Sequence, residues 1–152
     1  MYTPIKLTEY LEKYNVSWAK SLPENTPPDN VVVAYNEEPL FRLIQEKDVM
    51  TEEDLKPYSE LHPDMNFGNN LWKASGLSSL CKLDDARSMA KLPGLRHLRG
   101  IVEITMRPEY GVMLKTPSMS CANHYTWWHT TAFDINNAEL QYREITLKPK
   151  NV

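Results

Sequence analysis

The predicted fold rests on Gly100-Ile101-Val102-Glu103-Ile104-Thr105-Met106-Arg107-Pro108-Glu109-Tyr110-Gly111-Val112-Met113-Leu114-Lys115. Residues 100–106 are rich in β-branched side chains and alternate in polarity, which is typical of a strand. Residues 107–111 have the proline and glycine content of a turn, and residues 112–115 are apolar again. We therefore predict a strand over 100–106 that pairs with a second strand over 112–115.

Further elements are predicted before this unit. Thr8 is placed to cap a helix over residues 9–20, and a rigid connector follows at Leu22–Asn30. The β-branched run Val31–Tyr35 is the best local strand signal, and Leu40–Ile44 is a second short apolar run. Thr51–Asp54 has the pattern of a capped helix start.

The second half of the chain adds three more elements. Trp72–Leu80 predicts an extended segment with a kink at Gly76. Asp84 is placed to cap a helix that runs to about Lys91, and Ala138–Leu147 predicts a final strand.

Strands and helices alternate too sparsely for a doubly wound parallel sheet. The sequence thus predicts one α+β domain over residues 1–152, with a mostly antiparallel, twisted sheet at 31–147. The helix and connector at 1–30 are expected to pack on that sheet.

Composition and charge exclude some classes of function. The chain has 152 residues and a net charge of -3, whereas a general nucleic-acid binder needs excess positive charge. Neither a signal peptide nor an apolar run of membrane-spanning length is recognisable, which predicts a cytoplasmic protein without a membrane partner. Its two cysteines, Cys81 and Cys121, are therefore expected to be thiols. The oligomeric state is left open.

Two short segments are candidates for ligand contact. Arg42 lies inside an apolar run, where a charge is unfavourable unless it meets an anion, so it is a candidate phosphate clamp. The alternative is that Arg42 points to solvent between two inward residues. Ser75-Gly76-Leu77-Ser78-Ser79 places hydroxyls beside a glycine kink, and the alternative is a simple strand-to-loop transition.

The third candidate is His124-Tyr125-Thr126-Trp127-Trp128-His129, which follows the loop at residues 116–123. Such a segment can stack on a flat ring, bind a sugar or phosphate and titrate near neutral pH. The alternative is a Trp pair that fills a small core. His124 and His129 are five apart and lie on opposite faces if the segment is a strand, so no metal site is expected.

Four motifs together resemble a known fold: Leu40–Ile44, Thr51–Leu55, Gly76–Leu80 with Leu83–Ala86, and His124–Trp128. Over residues 31–147 the chain resembles small bacterial domains similar in layout to the ADP-ribosyltransferase-like fold, which includes the NAD-degrading RES-type toxins. The resemblance implies that NAD is bound as a substrate, without a metal. Cleavage of its N-glycosidic bond would lead to ADP-ribosyl transfer or to hydrolysis.

The resemblance also implies a role for individual residues. Arg42 would contact the NAD diphosphate and Ser78 its ribose, as an early-strand arginine and a middle-strand serine do in such folds. A late acid usually completes the site; Glu144 and Glu139 are the candidates for it, and His124 is a substitute. The remaining expected contacts to NAD come from Thr126, Trp127 and Trp128.

A second class of function stays open beside the enzyme. Tryptophan, tyrosine and arginine dominate the contacts that hold protein interfaces together. The aromatic segment 124–129 is therefore also predicted as the anchor of a non-catalytic interaction or immunity-type protein.

Overall fold

A computed structural model of the chain describes residues 6–35 and 37–146. Seven strands form one antiparallel sheet in the order β1-β5-β6-β3-β2-β4-β7. Together with a few short helices, this sheet confirms the predicted single-domain α+β fold. The strands are β1 Val32–Val33, β2 Leu40–Ile44, β3 Leu77–Leu80, β4 Gly100–Ile104, β5 Gly111–Lys115, β6 His124–His129 and β7 Leu140–Arg143.

Four α-helices lie outside the sheet: α1 Leu7–Tyr14, α2 Tyr58–Leu61, α3 Leu71–Ala74 and α4 Leu83–Ala90. The helix predicted over residues 9–20 is wrong at both ends, since the observed helix is Leu7–Tyr14. It begins without a side-chain cap after Lys6, and it stops because Asn15 adopts a left-handed conformation with φ 53°. The predicted capped start at Thr51 is confirmed, since Thr51 and Asp54 form a capping box on a 3₁₀ helix over Glu52–Leu55.

The predicted pairing of 100–106 with 112–115 is wrong. β4 pairs with β2 and β7, whereas β5 pairs with β1 and β6. Residues Pro108–Tyr110 form a 3₁₀ helix rather than a two-residue hairpin turn, so the chain leaves β4 and crosses the sheet before β5 begins. Alternation identified both strands but carried no information about their partners.

Several other boundaries also differ from the prediction. The histidine–tryptophan run is not a loop segment but β6, an inner strand that pairs with β3 and β5. The segment from Trp72 begins as helix α3, and extended backbone starts only at Leu77. The run at 31–35 contributes only the two-residue β1, and β7 is shorter than predicted. Residue 147, the predicted end of β7, lies outside the described residues.

Both faces of the sheet are covered in part. On one face, Ile44, Leu77, Val102 and Trp127 belong to the largest cluster of buried apolar side chains. The opposite face carries two smaller clusters. One joins Phe41, Leu80 and Ile101 to Ala86 of α4, and the other joins Val112 and Trp128 to Tyr10 of α1.

Polar residues occupy the space between these two smaller clusters. Ser78 pairs with Thr126 and Leu80 with His124 across β3 and β6. Because alternate residues of a strand share a face, Ser78, Thr126 and His124 lie on the same face as Leu80 and Trp128. The register therefore sets a polar patch between the two apolar clusters of this face.

Candidate functional site

A cavity of about 830 Å³ lies over this polar patch. Arg42, Ser78, His124 and Thr126 all line it, so the structure brings four of the predicted site residues together. Most of the remaining lining is apolar and comes from β3, α2 and the segments around Met89 and Leu98. An apolar pocket with a few convergent polar groups is the usual form of a small-molecule site.

A chain of hydrogen bonds joins β3, β6 and the end of β5. The Ser78 hydroxyl is exposed, and its Oγ lies 2.5 Å from His124 Nε2. His124 Nδ1 lies 3.1 Å from the Thr116 carbonyl oxygen and 2.9 Å from Thr116 Oγ1. A carbonyl only accepts, so this bond requires the proton on Nδ1 and leaves Nε2 as the acceptor for the Ser78 hydroxyl.

The surroundings of His124 keep its imidazole neutral. Burial is the main cause that lowers the His124 pKa below its ordinary value of 6.5. The positive charges of Lys73 and Arg42 lower the pKa further, while the bond to the Thr116 backbone opposes the shift. At neutral pH the ring is therefore an unprotonated base in contact with a hydroxyl.

Arg42 is buried, with 8% of its surface exposed. Its Nη1 donates to the Ser78 carbonyl, and its Nη2 donates to the Asp54 carbonyl at 2.6 Å. The Nε group is buried and has no hydrogen-bond partner among the described residues. Burial lowers the pKa of Arg42 to about 10, against the opposing charge of Asp54, so the guanidinium remains charged at neutral pH. The alternative that Arg42 points to solvent is wrong.

The position of Arg42 depends on how β2 and β3 meet. These two strands pair at a single position, Phe41 with Leu80, and the Arg42 side chain reaches across to Ser78 beyond it. The Asp54 carboxylate accepts instead from the backbone N–H groups of Gln45 and Thr51, at 2.9 and 2.8 Å. Arg42 is thus held by carbonyl oxygens, and its charge is not neutralised by a bonded carboxylate.

Aromatic rings stand at the cavity on α2 and the segment after it. The Tyr58 ring centroid is 4.3 Å from that of His62 and 5.7 Å from that of Phe67, and all three residues line the cavity. Tyr58 is 51% exposed. The sequence analysis missed this cluster because it lies in the stretch after Pro57, which has no periodicity. Lys73 and Thr116 were missed too, and no local pattern singles them out.

The two tryptophans of β6 are not at the cavity. Trp127 is fully buried and Trp128 is 2% exposed, with their indole N–H groups bonded to the Tyr110 carbonyl and to Ser75 Oγ. The expectation that either one stacks on a ligand is therefore wrong, and the core alternative is correct. Apolar clusters on both faces of β6 bury these two tryptophans, Trp127 on one face and Trp128 on the other.

The two acidic residues expected to complete the site also lie outside the cavity. Glu144 is exposed and does not line the cavity, and its carbonyl accepts a hydrogen bond from Arg87 Nε at 3.0 Å. Glu139 contributes only a carbonyl bond to the Thr105 N–H and is likewise outside the cavity. Of the three candidates for this role, His124 is the one that lines the cavity.

Three further expectations concern metal, membrane and cysteines. Across residues 6–35 and 37–146, no three histidine, cysteine or acidic side chains are grouped as metal ligands. Within the same ranges, no helix has the length and apolar character needed to cross a membrane. Cys81 and Cys121 are not joined in a disulfide.

The geometry of the site was set against known proteins. Comparisons with protein-family models, curated proteins and solved structures found no match to this chain.

Proposed function

We propose that the cavity binds a nucleotide and that NAD is the first ligand to test. The observation that carries this proposal is Arg42: a charged guanidinium in the wall of a large cavity, bonded to carbonyl oxygens and not to a carboxylate. A buried cation is unfavourable unless an anion compensates it. A phosphate group in the cavity would add a compensating negative charge to that of Asp54.

The other parts of a nucleotide have complementary groups in the same cavity. Lys73 adds a second positive charge for a diphosphate, and the hydroxyls of Ser78 and Thr126 suit a ribose. The rings of Tyr58 and Phe67 offer a surface for a base, a role that was expected of the tryptophans.

Binding is proposed here without cleavage. An oxocarbenium-like transition state develops positive charge, which a carboxylate stabilises. Two acids do line the cavity, but the Asp54 carboxylate is held by backbone N–H groups and Glu53 pairs with Lys56 at 2.5 Å. The charges that act on His124 are those of Arg42 and Lys73, which oppose a cationic transition state.

The alternative of a non-catalytic interaction protein depends on the aromatic side chains of segment 124–129 contacting a partner. Trp127 and Trp128 would have to leave the core to contact a partner, since both are buried and hydrogen-bonded. The segment 124–129 is therefore not proposed as an interface.

Calorimetric titration with NAD, ADP-ribose and AMP tests the proposal, because no tryptophan lines the cavity to report binding by fluorescence. Lys73→Gln should weaken binding about 5- to 10-fold, as loss of one charge-assisted contact predicts. Lys91→Gln is the matched control, since Lys91 is an exposed lysine outside the cavity.

Two results would contradict nucleotide binding at this cavity. One is the absence of measurable affinity for all three ligands. The other is an equal affinity of Lys73→Gln and Lys91→Gln for NAD. Variants of Arg42 are less suitable as a first test, because its two backbone bonds also support the fold.

A further inference from the structure

We propose that Ser78 is a nucleophile, with His124 as its general base, and that the cavity catalyses acyl transfer from carboxylic esters to water. This activity goes beyond nucleotide binding and does not require a nucleotide as the ligand. It rests on the hydrogen-bonded series formed by Ser78, His124 and Thr116 at an exposed position of the cavity floor.

The geometry meets the first requirement of a serine nucleophile, namely a base within hydrogen-bond reach. His124 Nε2 lies 2.5 Å from Ser78 Oγ, and a third group orients the ring from the other side. Here that group is the Thr116 carbonyl, 3.1 Å from Nδ1, which fixes the tautomer that accepts a proton at Nε2. All three residues lie on or beside paired strands, so the arrangement has a rigid support.

The charge around the pair suits an anionic transition state. Arg42 and Lys73 both act on His124 electrostatically, and both line the cavity. A tetrahedral intermediate places negative charge on the former carbonyl oxygen, which nearby cations stabilise. The other cavity residues that ionise are Glu53, Asp54, Lys56, Tyr58, His62 and His97. Among the apolar lining residues, Leu61, Met65 and Leu98 give an acyl chain a surface to pack on.

The reaction balances without an oxidant, a reductant or a metal. Ser78 Oγ forms a bond to the ester carbonyl carbon while its proton passes to His124 Nε2. Collapse of the intermediate breaks the ester C–O bond, and the alcohol leaves with the proton from Nε2. Water then attacks the acyl-serine, gives a proton to Nε2, and the carboxylic acid departs as Ser78 Oγ regains that proton.

A fluorophosphonate probe followed by peptide mapping tests the nucleophile directly, and p-nitrophenyl butyrate tests turnover. The label should map to Ser78 and be lost in Ser78→Ala. In Ser78→Ala and His124→Ala, kcat/KM for the ester should fall at least about 100-fold. Ser88→Ala is the matched control, since Ser88 is an exposed serine outside the cavity, and it should stay within about 2-fold of the parent.

The pH profile adds a signature that a structural role would not produce. Because the pKa of His124 is lowered, the decline of ester hydrolysis at acidic pH should have its midpoint below pH 6.5, the value of an ordinary histidine. Should His124→Ala fail to fold, Ser78→Cys provides the second test, since an exposed thiol at this position should be alkylated by iodoacetamide faster than Cys81 or Cys121.

The outcomes separate this proposal from nucleotide binding. Labelling of Ser78 that NAD blocks supports both. Labelling without any nucleotide affinity supports the nucleophile and contradicts the proposed ligand. NAD binding without labelling or ester turnover, in folded protein, overturns the nucleophile alone. Labelling of Ser78 that persists undiminished in folded His124→Ala also overturns it.

Discussion

His129 is expected to make this protein less stable as the pH falls below neutrality. The side chain is buried at the end of β6, and its ring centroid lies 5.6 Å from that of Trp127. Burial, followed by the charges of Arg42 and Lys20, lowers the pKa of His129 from 6.5 to about 3. The folded protein therefore resists a proton that the unfolded chain accepts readily.

The direction and size of the effect follow from this shift. Above pH 6.5 the ring is neutral in both states and His129 costs nothing. Between pH 6.5 and 3 the unfolded chain binds the proton first, so the free energy of unfolding falls. Each pKa unit is worth about 1.4 kcal/mol, which sets a ceiling on the order of 5 kcal/mol at pH 3 and about 3 kcal/mol at pH 4.5.

Urea denaturation of the parent and of His129→Phe at pH 7.5 and 4.5 measures this contribution. Phenylalanine keeps an aromatic ring in an aromatic environment and cannot titrate. The loss of unfolding free energy between the two pH values should be smaller in the variant by about 3 kcal/mol. Other groups, His124 included, titrate in both proteins and cancel in the comparison. Equal losses in the two proteins would refute the claim that folding keeps His129 neutral.

Two further predictions concern the support of β5 and β6. Tyr10→Phe removes a hydroxyl that donates to two backbone carbonyls, at 2.7 and 3.1 Å, and should lower the free energy of unfolding by about 1–2 kcal/mol. Tyr14→Phe is the control and should change the free energy of unfolding little. A similar loss in both variants would contradict the role of the Tyr10 hydroxyl. Gly111→Ala should cost about 2–4 kcal/mol in the same assay, because φ is 138° and a Cβ would overlap the Trp128 carbonyl. Gly94→Ala is the control, since a Cβ there meets no atom within 4 Å, and equal costs would contradict this reasoning.

Arg42 shows why one residue can be noticed from sequence while its role is not. A charge inside the apolar run at 40–44 predicts that something unusual compensates it. The sequence suggested a ligand phosphate or solvent. In the structure, two backbone carbonyl oxygens accept hydrogen bonds from the guanidinium, and its Nε has no hydrogen-bond partner among the described residues. Arg42 therefore both ties β2 to β3 and leaves one donor without a partner in the cavity wall.

Local patterns determined most of the elements of this protein. β-branched alternation identified the strands at 100–104 and 111–115, and the Thr51 capping pattern identified the turn of helix that follows it. These features depend on contacts between residues a few positions apart, which the sequence displays directly. The α+β class followed from their order along the chain.

Strand partners and the composition of the cavity were decided only by the tertiary structure. Ser78, Thr116 and His124 are up to 46 positions apart, and they meet because β3 and β5 both pair with β6. From the local sequence, Trp127 and Trp128 could belong either to a core or to a binding loop. Only the burial of β6 in the structure shows that they belong to the core. The physical reason is that strand pairing and burial depend on contacts between segments far apart in the chain. A local pattern shows that an apolar face must be buried, but it does not show which segment buries it.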